Sequence, residues 1–262
     1  MINKNIVIAL IYHYSYIWRH SWDRIGDSFY WPAMNIFVWG LMSLYVKNAS
    51  TEIPHIIPVI LTGVVFWLVV WRAQHEISLN LLEEFWNRNL VNIFISPVRL
   101  REWITSVTIF SIVKMLLTLS FAAVLVYFLY AYNIFIYGFL LIPFTLSLML
   151  TGWFLGFFVS GIIMRFGPTF QTLAWITPMI IVPFSSFYYP VYTLPDWAQT
   201  VAKFLPSTYI MEGMREIIFT DNFTYDKLFI SFGLNFVYLA LSITFFIFMF
   251  NKSKELGFGR WG

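Results

Sequence analysis

The chain has no cysteine among its 262 residues and carries few charges. Without cysteine it can form no disulfide bond, no thiolate nucleophile and no cysteine-ligated metal site. Charged residues make up 11% of the sequence, whereas soluble proteins carry about 25%. So few charges cannot cover a soluble globule, and 60% of the residues are hydrophobic. The composition therefore predicts an integral membrane protein, and a net charge of +3 is too small to indicate a nucleic-acid partner.

The motifs of nucleotide and metal sites are also missing. None of the 13 glycines is followed by lysine, which the phosphate-binding loop of an ATPase requires. His13, His20, His55 and His75 form no His-x3-His or Glu-x-x-His pair that could bind a metal. We therefore expect no catalytic residue, cofactor or metal site in this chain. We interpret His75 and Glu76 as a hydrated pair at a membrane interface.

Six segments are apolar and long enough to cross a membrane, for which a helix needs about 20 residues. They are residues 28–46, 53–71, 104–130, 134–164, 170–189 and 228–250. Residues 6–18 are apolar but too short to cross, and Tyr12, Tyr14, Tyr16 and Trp18 favour the headgroup region. We interpret this stretch as a helix in the membrane interface, and the alternative is a seventh, short span.

The positions of lysine and arginine predict the orientation of the six spans. One side carries eleven of these residues: Lys4, Arg19, Arg24, Arg72, Arg88, Arg99, Arg101, Arg165, Lys252, Lys254 and Arg260. The other side carries four, which are Lys47, Lys203, Arg215 and Lys227. The positive-inside rule therefore places both termini in the cytoplasm. We expect the protein to lie in the inner (plasma) membrane.

The cytoplasmic segment 72–103 has a helical pattern rather than the composition of a loop. Its apolar residues recur at helical spacing among polar ones, up to the break at Ser96-Pro97. We predict an amphipathic helix near residues 77–96. Such a helix either rests on the lipid surface or docks a cytoplasmic partner, and the pattern alone leaves both open. The residues predicted to dock are Glu83, Glu84, Phe85, Trp86, Arg88, Leu90 and Phe94, with the charged ones at the rim.

The outer segment 190–227 predicts two short helices joined at a proline. The first begins at Asp196 and the second at Pro206. Both are apolar for an aqueous loop, which favours a re-entrant hairpin over an external amphipathic cap. Arg215 cannot lose its charge, so we expect Glu212 to be its partner, with Glu216 as the adjacent alternative. The residues predicted to form an outer gate are Pro195, Pro206, Tyr209, Glu212 and Arg215.

Lys114 is the one cation well inside a predicted span. A charge within the membrane indicates a functional site by default. The span 104–130 is longer than a membrane requires, however, and Lys114 falls near its cytoplasmic end. We therefore favour a side chain that snorkels to the interface over a functional one.

These motifs, in this order, resemble those of the type-2 ABC exporter permeases. Leu194-Pro195, ten residues, and Pro206-x-x-Tyr209-x5-Arg215 are similar to the family signature before the last membrane helix. Residues 83–90 followed by Ser96-Pro97 are similar to the family's coupling-helix region. Tyr30-Trp31-Pro32 resembles the entry to the first span in a bacterial branch, whereas Ser207 departs from the usual apolar residue.

The resemblance implies an all-α polytopic membrane protein with one permease domain over residues 1–262. Its parts are an interfacial helix (1–27), five spans with the coupling helix (28–189), an outer re-entrant hairpin (190–227), a sixth span (228–250) and a cytoplasmic tail (251–262). The partners implied are two copies of a cytoplasmic ABC ATPase, which bind ATP and Mg²⁺, and a second permease protomer, as a homodimer.

The leading functional hypothesis is the permease subunit of an ATP-driven exporter of a hydrophobic or amphipathic substrate: a drug, a lipid or a lipid-linked glycan. The alternatives are an intramembrane lipid-modifying enzyme and an ion-coupled secondary transporter. Both require acidic or histidine side chains buried in the membrane, and the predicted spans contain no acidic residue apart from Asp27 at an edge.

Overall fold

A computed structural model describes residues 2–49, 55–220 and 222–257, and these residues form helices and no β-strand. The ten α-helices are α1 (Lys4–His20), α2 (Trp22–Ala49), α3 (Ile56–Trp86), α4 (Leu90–Ile95), α5 (Leu100–Tyr130), α6 (Leu141–Phe166), α7 (Leu173–Ile181), α8 (Asp196–Ala202), α9 (Pro206–Thr220) and α10 (Tyr225–Glu255).

Four helices in the described part of the chain are long and apolar enough to cross a membrane. They are α3, α5, α10 and α6 together with the 3-10 turn before it, Ile134–Leu140. Helix α2 has 28 residues and contains the predicted first span, but it is not among the four. It begins at Trp22, so the predicted boundary between residues 27 and 28 falls within this helix.

The predicted fifth span over residues 170–189 is wrong as a single helix. Helix α7 has nine residues, which extend about 14 Å and cannot cross about 30 Å of hydrocarbon alone. Pro183 lies in the 3-10 turn that follows α7, and Ser186 has a positive φ of 58°. The chain turns there instead of continuing as a helix.

Helix α3 is the centre of the bundle. It packs against α6, α5 and α2, and α10 closes the other side of α6. Gly152 of α6 permits this close approach, since a Cβ atom at that position would lie 2.6 Å from the carbonyl oxygen of Val70. Small residues let membrane helices approach each other in this way.

Two apolar clusters form the core, one at each end of α3. The first includes Val65 and Phe66 from the first half of α3. The second includes Ile77, Leu81 and Phe85 from its second half. Between these clusters, α3 carries the charged residues Arg72 and Glu76. The bundle therefore has a polar layer between two apolar ones.

Candidate functional site

The polar layer is a group of buried charged side chains that we call the ionic cluster. It consists of Arg24, Asp27, Arg72, His75, Glu76, Glu83 and Lys114. Two helices supply most of it, because Arg24 and Asp27 lie one turn apart on α2 and Arg72 and Glu76 lie one turn apart on α3. Its arginine, lysine and carboxylate charges balance, three against three.

Glu76 is the centre of the ionic cluster and is fully buried. Its Oε1 lies 3.2 Å from Nη1 of Arg72 and 3.3 Å from Nζ of Lys114. Its Oε2 lies 3.8 Å from Nη1 of Arg24. Three cations from three helices thus surround one carboxylate, and this arrangement offsets the cost of removing Glu76 from water.

Arg72 joins the cluster to the start of α2. Its Nη1 lies 2.6 Å from Oδ2 of Asp27, and its Nη2 donates to the backbone oxygen of Asp27 at 2.7 Å. Nε2 of His75 lies 3.7 Å from the same carboxylate oxygen. Arg24 completes the set through a hydrogen bond from its Nε to Glu83.

Lys114 extends the cluster to α1 and α5. Its Nζ donates to Oγ of Ser28 at 2.7 Å and lies 4.6 Å from the ring centre of Trp18. The indole of Trp18 donates to the same hydroxyl at 3.1 Å. The ionic cluster therefore fixes α1, α2, α3 and α5 relative to one another.

Two interpretations of these residues from the sequence are wrong. Lys114 does not snorkel, because it is 1% exposed and paired with Glu76. His75 and Glu76 are not a hydrated interface pair, since both are buried within the bundle. The predicted second span ends at residue 71, whereas α3 continues to Trp86. The four-residue spacing of Arg72 and Glu76 was the available signal for a continuing helix.

The predicted coupling helix near 77–96 is divided in the structure. Its first part is the end of α3, its second part is α4, and a turn at Asn87–Asn89 separates them. Of the residues predicted to dock a partner, Glu83, Glu84, Phe85 and Leu90 are buried, and Phe94 packs on Phe250 with ring centres 4.8 Å apart. Trp86 and Arg88 are exposed at the turn. The two carboxylates thus point into the chain and not towards a rim.

Glu84 attaches α1 to the end of α3. Nε2 of His13 lies 3.1 Å from Oε1 of Glu84, whose other oxygen accepts from Asn89 at 2.8 Å. The hydrogen bond to Glu84 raises the pKa of His13 above its usual value, against the opposing effect of burial. A raised pKa means that protonated His13 stabilises the folded chain.

We expect this stabilisation to be present at low pH and lost as the pH rises through the pKa of folded His13. The difference in melting temperature between the wild type and His13→Gln should shrink as the pH is raised from about 5.5 to about 8.5. Thermal unfolding across this range measures it. His20→Gln is the matched control, because the His20 ring contacts the Tyr16 oxygen of its own helix. A difference independent of pH would contradict the role of the protonated pair.

The outer segment contains a second ion pair, in which the arginine is buried and the glutamate is partly exposed. Nη1 of Arg215 lies 3.0 Å from Oε1 of Glu212, so the predicted partner is the one observed. Arg215 also donates to the backbone oxygen and the hydroxyl of Ser186, and Glu212 accepts from the backbone nitrogen of Val191 at 3.0 Å. The pair therefore ties α9 to the turn after α7. Glu216 pairs instead with Lys227, at 2.9 Å.

Of the other predicted gate residues, Pro206 is buried, Tyr209 is half-buried and Pro195 is exposed. Pro195 and Pro206 precede and begin the two outer helices, and the hydroxyl of Tyr209 donates to the backbone oxygen of Lys203 at 2.8 Å. Met211 and Met214 are buried in the core, as the apolar pattern of α9 indicates. The apolar faces of the outer helices also predict that Trp197 and Phe204 pack against the spans, but both side chains are more than 60% exposed.

A cavity adjoins the ionic cluster between α2, α3, α5 and α7. We call it the indole cavity, because its walls include the side chains of Trp31, Trp67, Trp71 and Trp175. Its volume is about 280 Å³. Asp27 and Arg72 of the ionic cluster line it as well. Among the residues that the structure describes, no group of three or more His, Asp or Glu side chains could hold a metal ion.

Comparison with known proteins agrees with the membrane fold. A family model described as "ABC-2 family transporter protein" matches residues 76–250, about two thirds of the chain. No curated protein matches the sequence. The match includes the end of α3, the α3–α4 turn and the outer segment, which carry two of the three motifs of the sequence resemblance, whereas Tyr30-Trp31-Pro32 lies outside it. The chain therefore belongs to the ABC-2 family of transporter membrane proteins.

Proposed function

We propose that the chain is the permease subunit of an ATP-driven exporter that moves a hydrophobic or amphipathic substrate outward between two protomers. The family match across the α3–α4 turn carries this proposal. A separate ATPase, present in two copies, would bind ATP and Mg²⁺. The substrate class covers drugs, lipids and lipid-linked glycans.

The arrangement of the helix ends supports a cytoplasmic face that carries both termini. His13 of α1 contacts Glu84, so the N-terminal helix lies beside the end of α3. Phe94 of α4 packs on Phe250, so the end of α10 lies there too. We propose six crossings of the inner membrane, with α2 as the first and the broken α7 region as the fifth. Helix α1 would lie in the interface, and α8 and α9 would form a re-entrant hairpin.

The docking surface we propose is the α3–α4 turn. Trp86 is 48% exposed, and Arg88 beside it is exposed at φ 52°. The indole nitrogen of Trp86 donates to Gln171, which leaves the ring at the surface. An exposed aromatic residue beside an arginine is typical of a binding hot spot.

We expect Trp86→Ala with Arg88→Gln to weaken ATPase binding by about tenfold or more, because a hot-spot side chain contributes more than about 1 kcal/mol. Co-purification of the permease with the ATPase, together with coupled transport, measures the loss. Phe139→Ala is the control, since this ring is 92% exposed and lies beyond the far end of α5. Phe85→Ala would be less informative, since Phe85 is 5% exposed and belongs to the core. Unchanged assembly and transport in the double variant would refute the docking role.

An ion-coupled secondary transporter is the second candidate, because Glu76 supplies the buried carboxylate that the sequence analysis did not find. Its three cationic neighbours favour a fixed structural charge over one that exchanges protons. The experiment that separates the two functions is reconstitution of the permease with its partner ABC ATPase. ATP-dependent transport from a panel of lipids, drugs and glycolipids supports the exporter. Uptake driven by a proton gradient without ATP would refute it.

A further inference from the structure

The indole cavity combines aromatic walls with polar groups that reach it from three helices. The polar lining comprises Asp27 and Asn35 of α2, Arg72 of α3 and Thr118 of α5. Arg72 and Thr118 are 1% and 2% exposed, so the protein rather than bulk water fixes their positions. A few fixed polar groups among aromatic walls are typical of a small-molecule site.

Thr118 is the observation that points to a ligand. Its hydroxyl is buried and has no hydrogen-bond partner among the described residues. A buried hydroxyl without a partner is costly, and most such groups in proteins are satisfied. Thr118 lines the cavity, and rotation of its side chain about χ1 would turn this hydroxyl towards a molecule there, which would then supply the missing partner.

The charges at the cavity exclude a strong preference for an ion. Asp27 and Arg72 form a pair at 2.6 Å, so the polar end of the cavity is close to neutral. A cationic headgroup would compete with Arg72 for the carboxylate, and an anionic headgroup would compete with Asp27 for the guanidinium. Both would leave a buried charge without its partner.

We propose that the indole cavity binds one neutral sugar ring, as the headgroup of a glycolipid. The apolar CH face of a sugar packs on indole rings, while its hydroxyl groups both donate and accept hydrogen bonds. Asp27 can accept, Asn35 can accept and donate, and the Thr118 hydroxyl can do both once its side chain has rotated towards the cavity. A volume of about 280 Å³ suits one ring and is small for an oligosaccharide.

The cavity is open on the side where Trp31 and Met179 are 58% and 61% exposed. A lipid tail attached to the sugar could leave the cavity there and remain in the hydrocarbon. This inference narrows the substrate class of the proposed function. That the sugar-bearing lipid is transported rests on the proposed function, whereas binding of the sugar in the cavity is independent of it.

The test is binding of n-octyl glucoside, below its micellar concentration, to the permease in lipid nanodiscs. Saturation-transfer NMR titrations would compare it with octyltrimethylammonium and octyl phosphate, which carry the same tail. We expect the glucoside to bind most tightly. Thr118→Val should weaken glucoside binding about three- to tenfold, because it removes one hydrogen bond. Trp175→Leu should weaken it by a similar factor, because it removes one stacking surface.

Two variants control for indirect effects. Thr244→Val removes an exposed hydroxyl that bonds only to Ala240 of its own helix, and Trp22→Leu removes an indole that is 86% exposed. Neither residue lines the cavity. Thr118→Val should fold normally, because it deletes a hydroxyl that has no partner in the empty protein.

Equal binding of the three octyl probes, or no saturable glucoside binding, would overturn the sugar site. Glucoside binding that Thr118→Val and Trp175→Leu leave unchanged would overturn it as well. These measurements use the permease without its ATPase. A permease that binds the glucoside as expected but transports no substrate with ATP would count against the exporter and not against the site.

Discussion

Glu76→Gln is expected to be the most destabilising single change in this chain. The variant leaves Arg24, Arg72 and Lys114 in a buried layer without the carboxylate that the three share. Breaking a buried ion pair by removing one partner costs about 3–5 kcal/mol. We expect a large fall in melting temperature and in the yield of monodisperse protein, measured by thermal unfolding and size-exclusion chromatography in detergent.

The double variant Glu76→Gln/Lys114→Met tests the physical reason. Removing Lys114 as well leaves Arg72 with Asp27 and Arg24 with Glu83, so each remaining cation keeps a carboxylate. We therefore expect the double variant to be more stable than Glu76→Gln alone.

Glu255→Gln is the matched control, because Glu255 pairs with Lys252 at 3.0 Å but is exposed. An exposed pair contributes about 0–1 kcal/mol. A Glu76→Gln protein that folds as stably as the wild type but no longer transports would contradict this structural role. It would favour an ion-coupled mechanism instead.

The second large effect is expected at the outer ion pair. Arg215→Gln removes the guanidinium that bonds Glu212 and the backbone oxygen of Ser186. Glu212 would then be a partly buried carboxylate without its cation. We expect Arg215→Gln to cost about 2–4 kcal/mol and the double variant Glu212→Gln/Arg215→Gln to cost less than Arg215→Gln alone. A double-variant cycle, measured both as stability and as transport, gives the coupling energy.

Chemical labelling tests whether this pair holds the outer segment closed as a gate. The chain has no cysteine, so Thr208→Cys introduces a single reactive site. Thr208 is 5% exposed, and we expect it to label slowly in the resting state and faster in Arg215→Gln. Thr193→Cys, at an exposed position, is the labelling control, and Glu216→Gln removes the neighbouring pair with Lys227. Additive energies, or rapid labelling at Thr208 in the wild type, would mean that the segment is only a surface cap.

Local features of the chain were predicted well from the sequence. Proline positions indicated where the outer helices begin, and α9 begins at Pro206. The pair of Glu212 and Arg215 was found because both residues lie on one helix, three positions apart, and helix geometry alone brings them together. The apolar stretch of residues 6–18 likewise indicated a short helix, and it lies within α1.

The prediction of the fifth span as one continuous helix was wrong, because composition does not record the path of the backbone. Residues 170–189 are apolar throughout, and hydropathy alone treats such a stretch as one helix. Pro178 and Pro183 lie within this stretch, but membrane helices tolerate proline as a kink, so these residues did not indicate a break. In the fold, the chain ends α7 at Ile181 and turns at Ser186, whose oxygen atoms bond Arg215 of α9.

The sequence by itself determined that this protein lies in a membrane, that it forms helices and that it has no phosphate-binding loop of its own. Composition and short-range spacing decide these properties, and both can be read from the chain. Only the tertiary structure decided that Arg72, Glu76 and Lys114 lie inside the bundle rather than at a membrane surface. A charge can be buried only where oppositely charged partners meet it, and those partners lie on helices far apart in the sequence. The indole cavity could not be predicted from the sequence for the same reason, because four helices must pack together before its walls exist.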